Sequence, residues 1–145
     1  MKTITDQAVL AKVALEDENY DVRLGAVEQL TDQTLLAKIA VEAKDSDVRE
    51  AAMGKLTDQA ALAKVAQEDK DSGIRREAME KLTDQVALSK IALEDKFWRV
   101  RRAAVKKLTD QAVLTKIALE NERSVVSSVA KSRLAELKAG QKVGP

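Results

Sequence analysis

Apolar residues return along this chain at helical spacing, and the whole pattern returns every 26 residues. In the second period Leu36, Ile39 and Ala40 are followed, across a polar break, by Val48, Ala51, Ala52, Met53 and Leu56. In the third, Leu62, Val65 and Ala66 repeat the first set. Steps of three and four residues gather each set on one helical face, while Lys38, Glu42 and their equivalents fall on the opposite face. The period is marked by ITDQ at Ile4 and by LTDQ at Leu30, Leu56, Leu82 and Leu108. Each period predicts two helices. The first starts at TDQ, with Thr as N-cap and Asp at the positive end of the helix dipole. The Ile or Leu before Thr stands five residues ahead of Val9, Leu35, Ala61, Ala87 or Val113, the spacing of a hydrophobic staple. The second helix follows a break such as AKDSD (43–47), where Asp45 or Ser46 serves as cap.

Neither helix buries its stripe alone, and 26 residues are too few for an independent core. Stacked neighbours solve both problems. The expected fold is therefore all-α, a right-handed α-solenoid of five two-helix repeats of 26 residues, in one domain. The repeats are 5–30, 31–56, 57–82, 83–108 and 109–134, with a C-terminal capping extension and tail over 135–145. The fifth repeat reads as a cap: Ser127 replaces an Arg found in the others, and Ser124, Ser128, Lys131 and Ser132 make its second helix more polar. That helix is expected to run through Glu136 and Lys138 and to end at Gly140.

Composition agrees with helices. Aromatic residues are 2% of the chain, and Ala, Leu, Val and Ile supply nearly all the apolar side chains, a diet that strands do not favour. The only Pro is the last residue. The chain has no Cys and no His, which removes disulfides, thiolate chemistry and the commonest general base and metal ligand. No signal peptide or membrane span is legible, so a cytoplasmic protein is expected, with no cofactor and no metal. One catalytic-looking string, SVAK (Ser128–Lys131), fits S-x-x-K, but the SDN and KTG elements that accompany it in acylating enzymes are missing. Acidic pairs such as Glu16–Asp17 and Glu68–Asp69 read as solvated turns and ladder partners, since no EF-hand pattern surrounds them. The five glycines are scattered and form no phosphate loop. The expectation is that this is not an enzyme.

The segments DVRLGAV (21–27), DVR-x-A-A (Asp47, Val48, Arg49, Ala51, Ala52) and RVRRAAV (99–105) resemble the second helix of HEAT-like repeats. The short period is also similar to the leucine-rich repeat variant family, which pairs an α-helix with a 3₁₀ helix, although that family's Asn-Pro turn is replaced here by LTDQ. The resemblance spans residues 4 to about 134. It implies a partner-binding face lined by second helices. It also implies a structural ladder of the recurring Arg23, Arg49, Arg75 and Arg101. On the helical wheel Arg101 lies between Val100 and Val105, so its stem packs and its head is expected to meet a carboxylate such as Asp69 or Asp95 in the preceding turn.

The first helices are near copies of one another, and the exposed strip of the second helices is not. Its slots hold Asp21, Leu24 and Glu28 in repeat one, and Asp47, Glu50 and Gly54 in repeat two. They hold Gly73, Arg76 and Glu80 in repeat three, Arg99, Arg102 and Lys106 in repeat four, and Val125, Ser128 and Ser132 in repeat five. Repeat four adds the chain's only Phe and only Trp, within a stretch of six basic residues (96–107). Trp98 and Tyr20 occupy equivalent positions, where other repeats have Ser. Net charge divides the same way: residues 1–72 carry 9 Lys and Arg against 15 Asp and Glu, and residues 73–145 carry 16 against 9.

A constant core with a variable face suits a non-catalytic scaffold that binds a protein or peptide along its second helices. The candidate contacts are Trp98, Arg99, Arg102 and Lys106, with Phe97, Arg76 and Tyr20 behind them. Two readings stand beside it. One is nucleic-acid binding through the basic, aromatic-containing face of repeat four. The other is a consensus-like or engineered repeat without a specific ligand, suggested by the near-verbatim first helices. The polarised charge also favours weak head-to-tail self-association at low salt.

Overall fold

The computed structural model describes residues 6–120 and 123–142. The first repeat start (Ile4, Thr5) and the end of the tail, with Pro145, lie outside the described residues. Within them the chain forms ten α-helices and no strand. These are α1 (Gln7–Glu16), α2 (Tyr20–Gln29), α3 (Gln33–Glu42), α4 (Ser46–Gly54), α5 (Gln59–Glu68), α6 (Ser72–Glu80), α7 (Gln85–Glu94), α8 (Trp98–Lys107), α9 (Gln111–Glu120) and α10 (Val125–Lys142). Helices pack in pairs as hairpins, α1 on α2, α3 on α4, α5 on α6, α7 on α8 and α9 on α10, which is the two-helix-repeat architecture of an α-solenoid. None of these helices is long and apolar enough to cross a membrane.

The chain divides after Lys81 into two compact units. In the first, α1, α3 and α5 pack side by side in one layer and α2, α4 and α6 in the other. The core lies between the layers, where Leu36, Ile39, Val48, Ala52, Leu62, Val65, Ala78 and Met79 are almost wholly buried. In the second, α8 packs on α7 and on α10, and α9 on α10. Leu88, Ile91, Val100, Val105, Leu114, Ile117 and Ala130 fill its interior. The Leu of each LTDQ (Leu30, Leu56, Leu82, Leu108) is fully buried. Each such side chain contributes on the order of 2 kcal/mol by leaving water.

The TDQ motif works differently from its expected role. Asp, not Thr, is the N-cap: the Asp6, Asp32, Asp58 and Asp84 side chains accept from main-chain N–H groups in the first turns of α1, α3, α5 and α7. Asp110 does the same for α9, accepting from Ala112 and Val113. Thr belongs to the turn, and its own N–H is bonded elsewhere. Gln33 Oε1 accepts from the Thr57 N–H at 2.8 Å, and its Nε2 donates to the Lys55 carbonyl at 3.0 Å. Gln7 accepts from the N–H groups of Thr31 and Asp32, and Gln85 from that of Thr109. One amide thus clamps a helix start to the turn of the next repeat, with both its donor and its acceptor in use. The staple is also displaced. With Asp as cap, the Leu ahead of Thr lies one position too far out and packs in the core, and Val9 is 53% exposed.

A second clamp comes from the residue before LTDQ. Lys55 Nζ donates to the carbonyls of Val27 and Glu28 at the end of α2, and Lys81 Nζ to those of Met53 and Gly54 at the end of α4. Each supplies a cation to a helix C-terminus. Arg133 holds the corresponding slot in repeat five, and its Nε donates to the Leu108 carbonyl at 2.9 Å. Helix α10 does not stop at Gly140. It continues to Lys142, with Gly140 in helical conformation.

Candidate partner-binding site

The inter-helix turns decide where each polar side chain of the second helices goes. Asp17, Asp69 and Asp95 accept from the N–H two residues on, which tightens the turn into α2, α6 and α8. Their main-chain carbonyls accept the Nη1 of Arg23, Arg75 and Arg101, at 2.7, 2.8 and 2.6 Å. Arg49 does the same on Ala43. The preceding turn therefore offers a carbonyl, and the carboxylate for Arg23 and Arg49 comes from the following repeat. Arg49 meets Asp69 at 3.0 Å, with both side chains almost fully buried. Arg23 meets Asp45 at 2.8 Å. Repeat two has Ala43 at the slot of Asp17 and Asp69, so Asp45, two residues on, takes the pairing. As a result Asp45 sits at the N-cap of α4 without capping it. In repeat five, where Ser127 replaces the Arg, its hydroxyl is buried and donates to the Ile117 carbonyl at 2.8 Å.

Tyr20 is the first residue of α2 and is held in place. Its hydroxyl donates to Asp47 at 2.7 Å, and Arg23 lies 5.7 Å from the ring centroid. The hydrogen bond to Asp47 raises the phenol's pKa above its usual 10. Tyr20 thus links α2 to α4. Arg76, on α6, makes an exposed pair with Glu80 at 3.5 Å. Both residues belong to the first unit and have partners within it.

Trp98, Arg99 and Arg102 come together. The Arg99 and Arg102 guanidiniums lie 5.0 and 5.3 Å from the Trp98 ring centroid, and Trp98 remains 39% exposed. Lys106 is exposed one turn beyond Arg102 on the same face. Phe97, half exposed, occupies the N-cap position of α8 and makes no side-chain cap bond. The first turn of α8 holds no acidic residue. Helices α2 and α6 have Asn19 and Asp71 caps at the same place. Helix α8 therefore opposes its own dipole with arginines and forgoes a cap, two choices that disfavour the helix locally. Cation–π contact with Trp98 offsets part of that.

Among the described residues, two grooves stand out between neighbouring second helices. One, of about 340 Å³, lies between α4 and α6 and is lined by Glu50, Met53, Gly54, Glu77, Glu80 and Lys81. The Glu77 carboxyl is pushed up to about 7, first by its hydrogen bond with Glu50, then by burial and by the charges of Glu50, Asp71 and Glu80. The other groove, of about 490 Å³, lies between α8 and α10. Lys106, Arg123 and Arg133 surround it, Ser128 and Ser132 face it, and Val125 and Val129 form its apolar wall. Sequence reasoning missed this second groove because its serines read as wear in a capping repeat. The available signal was positional: Val125, Ser128 and Ser132 are the repeat-five equivalents of Arg99, Arg102 and Lys106. Among the described residues no group of His, Cys, Asp and Glu comes together that could hold a metal ion. No family model, curated protein or solved structure matches this chain.

Proposed function

We propose that this chain is a non-catalytic, HEAT-like repeat scaffold that binds a protein or peptide along the ridge of its second helices. The observation that carries this is the composition of α8. An exposed Trp98 sits under two guanidiniums at the start of an uncapped, basic helix. Local preference is sacrificed there: the equivalent ends of α2 and α6 keep their Asn and Asp caps, and α4, whose Asp45 is taken up by Arg23, still has the acid Asp47 in its first turn. Departures of this kind collect at functional positions. Trp and Arg are also the side chains that most often anchor interfaces.

Nucleic acid is the weaker reading. The Trp98 ring is already covered in part by the arginines, which leaves less of it as a stacking platform for bases. The test is affinity capture at near-physiological salt after nuclease treatment, comparing wild type with Trp98→Ala and Arg102→Glu. A protein retained by wild type and lost from both variants is the expected result. Identical capture by all three, or capture abolished by the nuclease alone, would overturn the proposal.

A further inference from the structure

We infer that the groove between α8 and α10 is a recognition site for an acidic peptide segment, one that presents carboxylates beside aliphatic side chains. This rests on the reading of the second-helix ridge as a peptide-binding surface and specifies one site on it. The groove exists because of side-chain length. Where repeat four carries Arg102 and Lys106, repeat five carries Ser128 and Ser132, and the space left is about 490 Å³. That is enough for a few peptide side chains.

Its chemistry is mixed in a way that selects the occupant. Lys106, Arg123 and Arg133 supply three cations, and the two serines supply hydroxyl donors. Arg133 is pre-positioned, since its Nε is fixed by the Leu108 carbonyl. Its Nη1 meets Glu136 at 3.1 Å in a pair whose acid is 65% exposed. An exposed pair of that kind is weak, and an incoming carboxylate can compete for the same guanidinium. The Val125 and Val129 wall has no use for a phosphodiester backbone but fits a Leu or Val side chain. The Glu136 carboxylate, also in the groove's lining, would repel a continuous run of phosphates while leaving room for spaced acidic residues. Charge and shape together therefore favour a peptide of alternating acidic and aliphatic character over nucleic acid.

The test uses the full chain and fluorescence anisotropy of a labelled peptide of alternating Glu and Leu pairs, at about 0.15 M salt. Its Gln–Leu counterpart is the neutral control, and a single-stranded DNA oligonucleotide is the competitor. The Glu peptide is expected to bind at least about tenfold more tightly than the Gln peptide. Ser132→Leu, which fills the groove without changing charge, and Lys106→Glu should each weaken it about tenfold. Lys38→Glu changes net charge equally but lies on an exposed face of α3, and it should leave affinity unchanged. Helical circular dichroism checks that each variant is folded, and Ser132→Glu replaces Ser132→Leu if the latter is not. Equal affinity for the Glu and Gln peptides, equal weakening by Lys38→Glu, or displacement by DNA at lower concentration than by unlabelled peptide would overturn the inference. If Ser132→Leu has no effect while Trp98→Ala abolishes binding, the groove assignment falls and the ridge reading survives. If neither variant matters, both fall.

Discussion

Arg49 shows how a charged side chain can belong to the interior. Its stem lies in the core stripe of α4, its Nη1 bonds the carbonyls of Ala43 and Lys44, and its Nε reaches Asp69 of the next repeat. The pair is buried on both sides, so removing one partner strands the other. Arg49→Ala is expected to destabilise the protein by about 3–5 kcal/mol, because Asp69 keeps its charge without its counter-ion. Arg76→Ala, which breaks only an exposed pair, should change stability by less than about 0.5 kcal/mol. Urea denaturation of the two variants distinguishes the roles, and equal small losses would remove Arg49 from the ladder. Glu77 tells the opposite story. On α6 it meets Glu50 of α4, with Asp71 at the N-cap and Glu80 at the end of its own helix adding negative charge and Lys81 lining the same groove. Its folded pKa, about 7, lies above the ordinary 4.5. A raised acid binds its proton more tightly when folded, so its contribution to stability is present below 4.5 and is lost as pH rises through about 7. Thermal melts between those limits should show wild type losing stability with rising pH, and Glu77→Gln should flatten that part of the curve. A wild-type profile that the substitution leaves unchanged would refute the raised Glu77 pKa.

At the scale of elements, the periodic signal was strong enough to place every helix pair, because burial repeats at fixed steps and Leu36, Ile39, Val48 and Met53 can be read from spacing alone. What could not be read were contacts that depend on how a turn directs a side chain. Thr and Asp are both good caps, and their order in TDQ does not say which one has extended geometry. Nothing in the spacing shows that Gln33 reaches the next repeat, since that depends on where Thr57 lands in space. The groove beside α10 was illegible for a related reason: a serine has no periodic signature, and an absence of bulk becomes a cavity only when the neighbouring helix is in place. The clamp gives a sharp prediction. Gln33→Glu keeps an acceptor for the Thr57 N–H and improves charge near a helix N-terminus, yet it loses the donor to the Lys55 carbonyl and sets a carboxylate against it. A loss of about 1–3 kcal/mol is expected, more than from mutating an exposed Gln. An unchanged or raised melting temperature would show that the donor half of the clamp is idle. For α8, Phe97→Asp supplies the missing cap. It should stabilise the protein by up to about 1 kcal/mol while weakening partner binding, as follows if the uncapped basic end serves recognition.

At the scale of the whole molecule, charge is segregated by unit. Up to Lys81 the chain holds 12 Lys and Arg against 17 Asp and Glu, and beyond it 13 against 7, a net −5 and +6. The exposed slots of the second helices follow suit within each unit, with Asp21, Glu28, Asp47, Glu50 and Glu80 against Arg76 in the first and Arg99, Arg102 and Lys106 in the second. The acidic unit of one copy is then a ligand of the right sign for the basic unit of another. Such a contact is heterologous: each copy uses one patch and leaves its other patch available, so growth need not stop at a dimer. Screening decides whether it occurs. The Debye length is about 30 Å at 0.01 M salt and about 8 Å at 0.15 M, so attraction between exposed patches survives only at the lower value. Light scattering at about 0.01 M salt should therefore show a mass that rises steadily with concentration, and at about 0.15 M it should return to the 15.8 kDa of a single chain. Lys106→Glu should lower the low-salt mass by weakening the basic patch. A mass that plateaus at two chains would point to a closed, symmetric contact, and one that persists at high salt to an apolar contact. A constant 15.8 kDa at both salts would leave the basic ridge to a partner other than a second copy.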